Sequence, residues 1–87
     1  MFKLECADGW DIHFSKLDKS VQERIWKRIL KLKVLSTSRH LKHGVPFFVL
    51  ETGQYRICYE ESSSNLRTIM FAGTHKQYEK WYKNIAK

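Results

Sequence analysis

Three short runs in the second half of the chain constrain its fold most: Phe47–Leu50, Tyr55–Glu60 and Leu66–Ala72. Each is rich in aromatic and β-branched residues, and each is bounded by turn-forming residues. The connections, Thr52-Gly53-Gln54 and Glu61 to Asn65, are too short for the crossover that parallel neighbours need. The three runs are therefore expected to pair as an antiparallel meander. Pro46 stands just before the first, where a missing amide is tolerated at a strand start or edge.

The N-terminal half supplies what the meander must pack against. Met1 to Cys6 alternates, with Phe2, Leu4 and Cys6 on one side and Lys3 and Glu5 on the other, as in a half-buried strand. Asp8-Gly9 is a turn signal, and Trp10 to Leu17 reads either as a lead into a helix or as a short extended piece. Val21, Ile25, Ile29 and Leu32 then fall on one helical stripe, flanked by Trp26 and Leu30. Lys19, Glu23, Arg24, Lys27, Arg28 and Lys31 occupy the opposite face. Ser20 with Glu23 fits a capping box, and Asp18 is the rival cap. Ser36-Thr37-Ser38 ends this pattern and leads into a basic loop, Arg39, His40, Lys42 and His43, up to Gly44. After the meander, Gly73-Thr74 opens a terminal helix with Tyr78, Trp81, Tyr82 and Ile85 as its apolar side.

The expected fold is one α+β domain over residues 1–87. A small antiparallel sheet, the N-terminal strand plus the three-stranded meander, packs on one or two N-terminal helices and is followed by a short C-terminal helix. With 87 residues and 43% apolar content the chain can bury a single small core. No apolar stretch approaches the roughly 18 residues of a membrane span. No charged segment followed by a long apolar run marks a signal peptide, so the expected location is the cytoplasm. Cys6 and Cys58 both lie in strands and lack the close spacing of metal ligands, so both are expected to be buried thiols.

The net charge is +7, from 16 Lys and Arg against 9 Asp and Glu. Such an excess points to phosphate-rich or otherwise acidic partners, with nucleic acid first and an acidic protein second. Strand alternation puts Tyr55, Ile57 and Tyr59 toward the helix and Arg56, Cys58 and Glu60 on the opposite, open face. An unpaired guanidinium is costly to bury. Arg56 therefore either pairs with an acid such as Glu60 or awaits a phosphate, whose oxygens suit its planar fork. His75 stands at or near the start of the last helix, where orphan amides favour anions. It is either a plain surface residue or a group that holds phosphate and moves a proton near neutral pH. Tyr78 lies one turn beyond it, and Lys76 adds charge. Tyr78, Trp81 and Tyr82 offer rings on which unpaired bases can stack. The sequence carries neither a phosphate-binding glycine loop nor an acidic cluster with metal-ligand spacing.

The element order and two motifs, Gly53-Gln54-Tyr55-Arg56-Ile57-Cys58-Tyr59 and Gly73-Thr74-His75, resemble the RelE/ParE superfamily of toxins from toxin–antitoxin modules. The resemblance runs from Leu17-Asp18-Lys19 through the C-terminal helix. It implies a RelE-like endoribonuclease that cleaves mRNA, commonly in the ribosomal A site, with no metal or other cofactor. The 2′-hydroxyl attacks the adjacent phosphate to give a 2′,3′-cyclic phosphate. It further implies that Arg56 stabilises the phosphate and His75 acts as general acid or base. Tyr78 is the first choice, and Tyr82 the second, for the tyrosine that completes the site. RNA would be held by Arg39, His40, Lys42, His43 and Lys76, and a cognate antitoxin would wrap the toxin. RelE has a pair of lysines in the strand before the arginine; Pro46-Phe47-Phe48-Val49-Leu50 has none, so the general base is left open among Lys42, His43 and His40. The competing readings are a ParE-like inhibitor of DNA gyrase and a non-enzymatic basic module that binds nucleic acid.

Overall fold

The computed structural model describes residues 2–34, 47–62 and 65–85. The strands are β1 (Lys3–Cys6), β2 (Phe48–Thr52), β3 (Tyr55–Glu61) and β4 (Leu66–Thr74). The helices are α1 (Lys19–Leu30) and α2 (His75–Ile85). Short 3-10 turns, Phe14–Lys16 and Lys31–Lys33, precede and extend α1. The fold is thus the α+β arrangement expected, and Trp10 to Leu17 is a chain of turns ending in the first 3-10 turn.

The sheet order is β1-β4-β3-β2. β2, β3 and β4 form the antiparallel meander, but β1 joins β4 in parallel, so the sheet is mixed rather than wholly antiparallel. Gly53 has φ +62°, the left-handed value that a two-residue hairpin loop of type II′ needs at its first position, and Thr52 pairs with Tyr55 across it. Asn65 takes a similar positive φ, 61°, just before β4. Between Cys58 and Tyr59 the register against β4 slips by one, from Phe71 to Ile69, leaving Met70 as a bulge.

Each face of the sheet has its own core. On one, Ile25, Ile29 and Leu32 of the α1 stripe meet Ile57, Tyr59, Ile69 and Ala72, with Val21, Trp10, Phe14 and Leu50 at the margin. On the other, α2 sets Tyr78 against Phe47, Cys58 and Phe71, with Trp81 and Tyr82 beside them. The face carrying Arg56 and Cys58 is therefore not open: α2 folds back over it, and Cys58 is fully buried. Cys6 is exposed, because β1 is a short edge strand with one face at the rim of the sheet. Asp18 occupies the N-cap position of α1 but makes no side-chain cap bond. Ser20 lies inside the helix instead of at its cap, and the Gln22 amide donates back to the Leu17 carbonyl at 2.8 Å. No helix among the described residues is long and apolar enough to cross a membrane.

Candidate functional site

The junction of β4 and α2 holds His75 in place. Thr74 ends the strand and caps the helix: its Oγ1 accepts from the Gln77 amide at 3.1 Å, while Gln77 Oε1 accepts from the Thr74 amide at 2.9 Å. This reciprocal pair is a capping box at the expected Gly73-Thr74 opening of the helix. The box needs Gly73. A Cβ there would lie 2.6 Å from Gln77 Oε1, 2.9 Å from Phe71 Cζ and 3.2 Å from His13 Cβ. The His75 amide donates to the Gln54 carbonyl at 2.8 Å and so ties the helix start to the β2–β3 turn. Gln54, Thr74, His75 and Lys76 line a shallow hollow of about 410 Å³ there. The His75 imidazole is about half exposed, and its Nε2 lies 3.3 Å from Glu79 one turn on.

Arg56 sits on the neighbouring strand, directly opposite Gly73. Its guanidinium bends back toward the hairpin turn and donates to the Gly53 carbonyl at 3.0 Å and the Tyr55 carbonyl at 2.9 Å. The acid beside it is Glu51, across the β2–β3 ladder and 3.8 Å away, rather than Glu60. The side chain is 15% exposed, so the charge is largely sheltered yet open on one side.

Tyr78 lies one turn along α2 from His75. Its ring centroid is 6.4 Å from that of His75, and its body is buried against Phe71. The hydroxyl has no partner among the described residues. Burial, together with Cys58, Tyr82 and Glu51, pushes its pKa up to about 12, against the opposing pull of Arg56. Burial likewise raises the Cys58 thiol far above its ordinary value, with Arg56 opposing. Both groups are protonated at neutral pH, so this tyrosine can donate a hydrogen bond or a proton but cannot act as a base. Tyr82 packs at 5.9 Å from Tyr78 and 6.4 Å from Phe47, farther along the helix.

Of the residues picked out from sequence, Arg56, His75, Lys76, Tyr78 and Tyr82 gather around the first turns of α2. Arg39, His40, Lys42 and His43 lie outside the described residues, and so does any test of them as general base. Two neighbours escaped the sequence reading. His13 packs its ring 5.6 Å from Phe71, and nothing in the pattern around Trp10 to Leu17 marked it. Glu51 could have been found by pairing across the Gly53-Gln54 turn, which puts it opposite Arg56. The described residues contain no cluster of three or more potential metal ligands.

No family model and no curated protein matches the chain. Solved structures do. The isolated E. coli RelE toxin superposes with a TM-score of 0.69 at 16% identity, over 98% of this chain and 99% of that one. A chain of the intact E. coli RelBE toxin–antitoxin complex gives 0.69 at 15% identity, over 85% and 96%. One from the RelB–RelE antitoxin–toxin complex of Methanococcus jannaschii gives 0.68 at 12%, over 90% and 98%. These likenesses cover 85–98% of this chain, and the protein therefore has the RelE toxin fold.

Proposed function

We propose that this chain is the toxin of a toxin–antitoxin pair and acts as a metal-independent endoribonuclease on mRNA, at the ribosome. The observation that carries the reading is the convergence of Arg56, His75 and Tyr78 at one end of a RelE-type sheet. Arg56 binds the scissile phosphate and offsets the charge that builds on it as the 2′-oxygen attacks. His75, half exposed at the helix start, gives its proton to the leaving 5′ oxygen. Tyr78, its hydroxyl buried behind the site, packs beside His75 and holds this end of α2 on the sheet. Lys76 and the amide-rich start of α2, whose first turn carries no acid, favour the RNA backbone. The products are a 2′,3′-cyclic phosphate and a 5′-hydroxyl. The +7 charge suits an acidic antitoxin segment, the kind of partner implied by neighbours solved as RelB–RelE complexes.

The test is cleavage of mRNA on stalled ribosomes by the purified chain in EDTA, beside its Arg56→Ala and His75→Ala variants. Each substitution is expected to lower the rate by about 100-fold or more and to abolish growth arrest when the gene is induced. Wild-type arrest without RNA cleavage, together with inhibited supercoiling by gyrase, would move the chain to the ParE-like reading.

A further inference from the structure

We infer that Glu51 is the general base of this site, the group that takes the proton from the attacking 2′-hydroxyl; the inference rests on the ribonuclease reading above. Glu51 lies directly opposite Arg56 in the β2–β3 ladder, so both side chains leave the same face of the sheet. Its Oε2 is 3.8 Å from Arg56 Nε, and its side chain is 61% exposed. A phosphate bound by Arg56 therefore brings its neighbouring ribose to a carboxylate that is already in place and open to solvent.

A plain structural ion pair explains these facts less well. Arg56 is already held by two carbonyls of its own hairpin, those of Gly53 and Tyr55. It does not need Glu51 to satisfy it. At 3.8 Å with one partner mostly exposed, the pair belongs to the solvent-screened class that adds little to stability. Of the other titratable groups on this side, His13 packs against Phe71, and Glu79 lies against His75, the acid of the reaction, rather than against Arg56. The Cys58 thiol and the Tyr78 phenol are both held protonated by burial, and Arg56 stays charged. Tyr82 packs against Tyr78 from α2. Glu51 is the carboxylate within ion-pair distance of Arg56 among the described residues, and that adjacency carries the assignment.

The step balances without further reactants. Glu51 accepts the 2′-hydroxyl proton as the bond from O2′ to phosphorus forms. The bond from phosphorus to O5′ breaks, its electron pair stays on O5′, and protonated His75 delivers a proton there. Exchange with water then returns both side chains to their starting states.

The experiment measures single-turnover cleavage against pH for wild type, Glu51→Gln and Glu51→Asp. Binding of an RNA carrying one 2′-deoxy residue at the cut site is measured in parallel. Glu51→Gln is expected to slow cleavage by about 100-fold or more and to erase the acid limb of the profile. Glu51→Asp should keep that limb at a reduced rate, and affinity for the uncleavable RNA should hold within about threefold, as expected for a group used in proton transfer rather than binding. Because Glu51 is exposed on the edge strand β2, both variants should match the wild-type urea midpoint. Glu51→Gln cutting within about threefold of wild type, or slowed with its acid limb intact, would overturn the assignment while leaving the ribonuclease reading standing. An inactive wild type would instead remove the ribonuclease reading, and this assignment with it.

Discussion

Arg67 shows how one buried charge can fix a small fold. It is completely buried, with its Nη1 donating to the Leu32 carbonyl at 2.7 Å and its Nη2 2.7 Å from Glu61. Its guanidinium lies 3.6 Å from the Phe2 ring centroid and 5.3 Å from that of Tyr59. The side chain therefore joins the 3-10 turn that extends α1, strand β3 and the N-terminal segment. Removing Glu61 leaves a buried cation facing one lost counter-ion, whereas replacing Arg67 by a chain of similar volume removes the charge altogether. Glu61→Ala is expected to cost about 3 kcal/mol and Arg67→Met clearly less, both read from urea unfolding midpoints. Equal losses would mean that packing, not charge, sets the value of this site. Tyr78 makes a second prediction. Its folded pKa, about 12, lies above the ordinary 10.0, so its contribution is fully present below pH 10 and is lost as pH rises toward 12. Cys58 shifts in the same direction and adds to the same alkaline loss. Tyr78→Phe should flatten the fall of stability between those pH values, and urea midpoints taken across that window would measure it.

The Thr74–Gln77 box joins the last strand to the last helix, and it sets where His75 points. Thr74→Ala should cost about 1 kcal/mol, as loss of an N-cap does. Gly73→Ala should cost about 1–3 kcal/mol, because its Cβ must displace the Gln77 amide or the Phe71 ring. Both should also slow RNA cleavage while leaving Arg56 untouched, a combination that thermal melting and a cleavage assay on the same preparations would reveal. The sequence showed less of this junction than of the elements on either side. The α1 stripe was legible because Val21, Ile25, Ile29 and Leu32 repeat with the helical period. The meander was legible because its turns are too short for any other pairing. The parallel docking of β1 was not, since its direction depends on where α1 returns the chain, a long-range matter with no local signal. Alternation correctly separated Arg56 and Cys58 from Ile57 and Tyr59. It could not say that α2 would close over the first pair, because burial by a later element leaves no mark on the strand. Glu51 was missed for a related reason: its role comes from the register across the hairpin, not from its neighbours in sequence.

The sheet separates two faces that both carry lysine and arginine, one on the α1 side and one on the α2 side. Lys19, Arg24 and Lys27 belong to α1 and Lys31 to the 3-10 turn that extends it, on the opposite side of the sheet from α2 and Arg56. The shortest dimension of the molecule is 23 Å, against a screening length of about 8 Å at physiological salt. Charge on the α1 side is therefore screened from RNA bound at the α2 side and remains free for another partner. Each phosphate contact to single-stranded RNA contributes about 0.7 to the slope of log affinity against log salt. Measured on the His75→Ala protein, which binds without cutting, Lys76→Gln should reduce that slope by about 0.7. Lys27→Gln with Lys31→Gln should leave it unchanged within about 0.2, although the pair removes twice the charge. Filter binding of a short RNA over a salt series would give these slopes. If the α1 pair lowered the slope as much as Lys76, RNA would have to wrap both faces, and the division of labour between them would fail.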